Sequence, residues 1–316
     1  MLEQQLVEVT ATTDIQKEWN KRVNRIGLAM VFSALIPILL MIVICLTMAD
    51  VFYAQKYILN ILCSVVSVVP FIVLAKSNNL KYKEKDFQIK DKIIYVFCGF
   101  CVLILLQLLC GLAIRFLDEY LFNGIISATM PNLLPTELTR VNLIIYYLYV
   151  CFIGPLAEEY IFRGVIFKSL EQYGLWFAVI ISAVLFGFMH MNLNQMLSAM
   201  VIGLVFGFIR AKSGSILLTV ILHIVNNVIA VVITQEFFLN ALKQNVVLVI
   251  GYLFICFIGL LTLIIGFISS KRVFCLNGEN IVELPNKFLD FFASPTIIIY
   301  ILIVIKIIAL NVKIIK

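Results

Sequence analysis

Long apolar runs divided by short polar connections set the rhythm of this chain. Runs able to cross a hydrocarbon core, about 20 residues at 1.5 Å rise, fall near 26–49, 57–76, 93–116, 142–171, 175–192, 195–211, 214–234 and 246–270. A further Ile-rich run near 296–312 carries Lys306 in its interior and reads as a tilted span or an interfacial segment. Only helices satisfy their own backbone groups in lipid when runs are this long. The pattern therefore predicts an all-α, polytopic transmembrane bundle of eight helices, with a ninth at 296–312. A polar stretch with no cleavable apolar leader precedes the first run, so a retained cytoplasmic arm is expected at 1–25, then a transmembrane domain at 26–270 and a C-terminal tail at 271–316. The run at 142–171 is long for one span, and Pro155 predicts a kink just ahead of a group of charges.

Composition agrees with this class. The chain is 63% hydrophobic and 13% charged, against about 45–50% and about 25% in soluble proteins. Its net charge of +6 belongs to loops, which removes nucleic acid as a partner; Lys81, Lys83 and Lys85 read as a solvated cytoplasmic loop ahead of a contact with anionic headgroups, and membrane lipids are the expected surroundings of the spans. Lys17, Lys21, Arg22 and Arg25 precede the first run, and Lys76, Lys81, Lys83, Lys85, Lys90 and Lys92 follow the second. The connection between those runs has only Lys56, balanced by Asp50. Positive residues stay inside, so the N-terminus is expected in the cytoplasm of a multi-pass protein of the plasma membrane. The turns near 172–174 and 211–214 and the Lys271-Arg272 pair fall on the same side, with Lys168, Arg210 and Lys212 in agreement. The connection 117–141, with Pro131 and Pro135, is expected outside. Cys98 and Cys101 form a C-x-x-C within an apolar run, with no second pair and no nearby His, which reads as packing.

The candidate chemistry lies in a core at about 142–235. Ionised groups at membrane depth are costly and face a partner or a wet cavity, and Glu158, Glu159 and Arg163 stand inside one apolar run. Glu159 and Arg163 are four apart and share a helix face. Glu158 is turned about 100° away and needs a partner from another helix. The two histidines of the chain, His190 and His223, fall in apolar runs of the same region. Counted from the turns at Gly174 and Gly214, His190 reaches the depth of Glu158 and His223 lies shallower. Each has an Asn four residues on, Asn194 and Asn227, with Asn226 beside the second.

An acid and an imidazole at this depth suit activation of water, with the second imidazole and an amide stabilising an oxyanion. Glu158, His190 and His223 could instead hold Zn²⁺ with one position left open for water; against this, no H-E-x-x-H is present and the ligands would have to converge from three helices. The six aspartates all lie in loops or near the ends of runs, which excludes a buried aspartyl dyad, and no G-x-S-x-G presents a serine. Buried Glu, His and Arg also serve proton-coupled transport, but the polar groups cluster in one half of the chain and no inverted repeat appears.

The order Glu158-Glu159-x-x-x-Arg163, Phe186-x-x-x-His190, His223-x-x-x-Asn227 resembles the three motifs of the CPBP group, the CAAX-protease and bacteriocin-processing intramembrane peptidases that include type II CAAX prenyl endopeptidases and the Abi proteins. The resemblance covers about 145–235. It implies an intramembrane endopeptidase acting on a lipidated or hydrophobic peptide or protein. In it Glu158 and His190 activate water, Glu159 and Arg163 shape the site, and His223 with Asn227 forms an oxyanion hole. The group is labelled metalloendopeptidase as well as glutamate-type. A bacteriocin immunity role, with or without proteolysis, is the alternative within the family.

Overall fold

A computed structural model describes residues 2–48, 56–82, 88–128, 140–233, 245–269, 276 and 282–315, and among them all regular structure is helical. In chain order α1 is Leu2–Thr47, α2 Lys56–Ser77, α3 Ile89–Tyr120, α4 Arg140–Tyr173, α5 Leu175–Met189, α6 Leu193–Ser213, α7 Ile216–Ile233, α8 Val246–Ile268 and α9 Pro295–Ile315. Short helices at Ile125–Ala128 and Lys287–Phe292 lie between. The expectations for Asp50, Lys83, Lys85, Asp86, Pro131, Pro135, Lys271 and Arg272 lie outside the described residues.

The chain is an all-α polytopic bundle, but the count of eight spans changes. Among the described residues, α1, α2, α3, α4, α6, α8 and α9 are long and apolar enough to cross a membrane, whereas α5 and α7 are shorter apolar helices. The run at 175–192 ends early because Met191 takes a left-handed φ of 53° and Asn192 turns to cap α6, its side chain accepting from the Gln195 N–H. The run at 296–312 forms α9.

Within the stretch expected as an N-terminal arm, residues 2–25 are helical and run into the first apolar segment as one helix, α1. Trp19, Val23, Ile26, Met30 and Ala34 recur every three or four residues and are all buried, so one face of this helix packs from Trp19 to Ala34. Trp19 meets Tyr173 at 4.6 Å between ring centres. The neighbouring face approaches α9, where Thr296 donates to the Asn24 carbonyl (3.2 Å). At this end of the bundle Arg22 donates to the Ser169 carbonyl, Arg25 to Ser77 and Lys287 to Tyr173. Three cations thus satisfy carbonyls at the C-terminal ends of α4 and α2.

Helices α5 and α6 pack in close contact. A Cβ on Gly187 would stand 2.6 Å from the Met196 carbonyl, and one on Gly203 would stand 3.0 Å from the Ala183 Cα. Only glycine permits that approach. On the other side of the bundle α3 packs against α8, where Gly259 backs directly onto the Cys101 carbonyl. The C-x-x-C cysteines are free thiols in this packing.

Candidate active site

The site is built on α4, which is not uniformly wound. Tyr149–Ile153 and Tyr160–Ile166 are π-helical, on either side of the turn that holds Pro155. The distortion expected at Pro155 therefore takes the form of widened turns. Such turns leave carbonyls short of partners, and side chains from other helices supply them. Asn227 Nδ2 donates to the Val150 carbonyl (2.9 Å), and Arg210 Nε donates to that of Arg163 (3.2 Å). Arg210 was expected among the cytoplasmic loop charges. It is instead buried, because the widened turn offers it an acceptor and Phe167 offers a ring face at 5.5 Å.

Between and within these turns the charges form an alternating row. Glu158 Oε2 lies 3.5 Å from His223 Nε2, and His223 Nδ1 donates to Glu159 Oε1 at 2.9 Å. The same Glu159 oxygen accepts from Arg163 Nη1 at 3.1 Å, and Arg163 Nη2 donates to the Gly203 carbonyl at 3.1 Å. Glu159 and Arg163 are wholly buried and His223 nearly so, whereas the Glu158 side chain keeps 24% exposure. That difference separates the two acids: Glu159 is locked and Glu158 has room to act. Phe186 and Phe206 hold the guanidinium between ring faces at 4.6 and 5.2 Å and also pack on His223.

The partner that Glu158 required from elsewhere is His223, which the depth count had placed shallower. The count fails because the turn before α7 is itself buried: Ser213, Ser215 and Thr219 are at most 4% exposed. So α7 starts well inside the bundle, while α4 runs on to Tyr173.

His190 sits at the C-terminal end of α5 and its Nδ1 donates to the Phe186 carbonyl at 3.0 Å. That bond puts the proton of a neutral ring on Nδ1 and leaves Nε2 as an acceptor. With Glu158 it lines two cavities. One, of about 470 Å³, also reaches His223, Asn226 and Asn227. The other, of about 280 Å³, lies on the α2 side beside Ser64, Ser67 and Tyr149. Asn194 lines the larger cavity too, but from the first turn of α6. The helical spacing expected between it and His190 is broken at Met191.

The Asn227 amide is oriented by a chain that begins on α3. Gln107 donates to Asn226 Oδ1, and Asn226 Nδ2 donates to Asn227 Oδ1 (3.1 Å). With its oxygen so occupied and one N–H on Val150, Asn227 turns its remaining N–H away from both. Gln107 was missed on the chain, although an amide inside the apolar run 93–116 was a visible signal. The Gly203 carbonyl carries no signal in the sequence.

Among the described residues no three His, Cys, Asp or Glu side chains meet in an arrangement able to hold a metal ion. In the set expected for Zn²⁺, His223 Nδ1 is engaged by Glu159 Oε1 at 2.9 Å and its Nε2 faces Glu158 Oε2 at 3.5 Å.

Residues 140–229 match the family model described as Type II CAAX prenyl endopeptidase Rce1-like. The chain is 36% identical over 107 residues to a Bacillus subtilis (strain 168) protein named "Putative membrane peptidase YdiL", covering 33% of this chain and 44% of that one. It is 32% identical over 88 residues to an Escherichia coli "Uncharacterized 24.3 kDa protein", covering 26% of this chain and 41% of that one. The chain thus spans less than half the length of these curated relatives. No solved structure matches it.

Proposed function

We propose, from the Rce1-like type II CAAX prenyl endopeptidase domain that residues 140–229 carry, that this chain is an intramembrane endopeptidase that cleaves a hydrophobic or lipidated peptide or protein with water activated by Glu158. One observation carries the reading: a half-buried carboxylate midway along a membrane span opens onto a cavity shared with both histidines and Asn227.

In this reading a water between Glu158 and His190 gives its proton to the Glu158 carboxylate while the His190 Nε2 orients it. Its oxygen bonds to the scissile carbonyl carbon. The resulting oxyanion takes hydrogen bonds from the Asn227 N–H and from His223 Nε2–H, which turns from Glu158 as the peptide enters. The C–N bond then breaks as Glu158 returns the proton to the leaving nitrogen, giving a carboxylic acid and an amine and leaving Glu158 ionised again. Glu159 holds His223 by its Nδ1–H, and Arg163 balances Glu159. Water and protein groups complete this reaction.

The test compares peptide termini in membranes and medium of cells carrying wild type or Glu158→Gln at matched protein levels. Cleavage ends made only by wild type are expected and would name the substrate. Identical termini under several growth conditions, with the variant still conferring any peptide resistance seen in wild type, would replace this reading with non-proteolytic immunity. Chelation of the purified protein is expected to leave cleavage unchanged, with no gain from added Zn²⁺; loss on chelation and recovery with Zn²⁺ would show a metal enzyme.

A further inference from the structure

The cavity at Glu158 has a direction. Going outward from the acid, its lining climbs α7 from His223 to Val231 and α3 from Gln107 to Arg115, and retreats along α4 from Val150 to Tyr146. Along α3 and α7 this is the way to the C-terminal end, and along α4 it is the way to the N-terminal end. In an up-and-down bundle those three ends lie together. The contribution of α6 comes from its N-terminal half, around Gln195 and Ser198, which is again that end. Towards the other end the site is closed: Phe162, Arg163, Val165, Ile166 and Phe206 are all wholly buried.

The closed end is also the basic end. Arg22 and Arg25 of α1 bond the ends of α4 and α2 there, as does Lys287. Lys76 closes α2, Lys90 and Lys92 open α3, and Lys212 closes α6. At the open end the helix termini bring fewer: Lys56, Arg140, Lys313 of α9 and, one turn in, Arg115. Basic residues in short loops mark the cytoplasmic side.

We propose that the peptide reaches Glu158 from the extracytoplasmic face, so that the substrate is a translocated peptide or the outward segment of a membrane-anchored protein. This rests on the endopeptidase reading for the word substrate, but the access it describes is a property of the fold alone. A cytoplasmic chain terminus would meet the packed layer of Phe162, Val165 and Phe206 rather than the cavity. Arg115, exposed at the mouth, gives that entrance a positive charge.

The experiment places single cysteines at Gln195, in the cavity mouth, and at Lys81, beyond the basic end, in a background with the native cysteines replaced. A membrane-impermeant maleimide is added to sealed right-side-out and inside-out vesicles. Gln195→Cys is expected to label only in right-side-out vesicles and Lys81→Cys only in inside-out ones. Labelling of Gln195→Cys only in inside-out vesicles, or from neither side, overturns the proposal. If the cysteine-free background does not accumulate, the same two substitutions in the native background, with labelled sites found by peptide mapping, give the same readout. Because the maleimide reports access rather than turnover, a protein that proves not to cleave peptides leaves this result intact.

Discussion

Glu159 and Arg163 are wholly buried, so each depends on its partners inside the protein. Removing one charge of such a pair leaves the other buried and uncompensated, at a cost of about 3–5 kcal/mol. Glu159→Gln is therefore expected to lower the detergent melting temperature and membrane abundance. The double replacement Glu159→Gln with Arg163→Met is expected to lose less than the sum of the single losses, which a double-mutant cycle measures. Gln107 acts through other residues: Gln107→Leu releases Asn226 and lets the Asn227 amide rotate. A loss of about tenfold in kcat with KM little changed is expected, and a fall in both with the melting temperature would mark a merely structural role. These acids, the Arg and both histidines were legible in the sequence because ionisable groups in apolar runs are rare and costly. Gln107 was not, since an uncharged amide is tolerated there more easily and its partner lies on another helix, 119 positions away.

Helices were legible as long apolar runs, yet their winding and exact ends were not. Hydropathy sees that 142–171 is apolar and that Pro155 interrupts it. It does not see which carbonyls the widened turns release, because the acceptors become visible only when Asn227 and Arg210 reach them. Nor does it place the reversal at Met191 to the residue: Asn192 and Asn194 mark a break between the runs, but not the left-handed φ that ends α5 before it. The close pairing of α5 and α6 sets where the Gly203 carbonyl meets Arg163. A larger residue at Gly187 meets backbone on α6, so Gly187→Val is expected to cost about 1–3 kcal/mol or more through overpacking. Reduced melting temperature with reduced cleavage would check it; an unchanged protein would show that α6 shifts freely against its neighbour.

At the scale of the whole molecule, the positive-inside pattern was readable from lysine and arginine positions, but the end from which the site is reached was not. Direction comes from helix polarity around the cavity, a relation among four chain segments that no single stretch records. The same scale shows why the polar N-terminal residues belong to the bundle: Trp19 is wholly buried against Tyr173 and Phe177. Trp19→Ala is expected to lose about 3–5 kcal/mol, read as a lower melting temperature, although Trp19 lies on the far side of the closed layer from the cavity.

The alternating row has an electrical consequence. With one proton between Glu158 and His223 the row sums to zero: two negative and two positive groups cancel if His223 holds it, one of each if Glu158 does. A row that carries no net charge through the bilayer during hydrolysis draws no work from transmembrane voltage, whereas each elementary charge carried through the membrane is worth about 2.3 kcal/mol per 100 mV. Hydrolysis in proteoliposomes is therefore expected to proceed at one rate whether or not a potassium diffusion potential is imposed, while a proton-driven transporter built from the same side chains would quicken or stall with its sign.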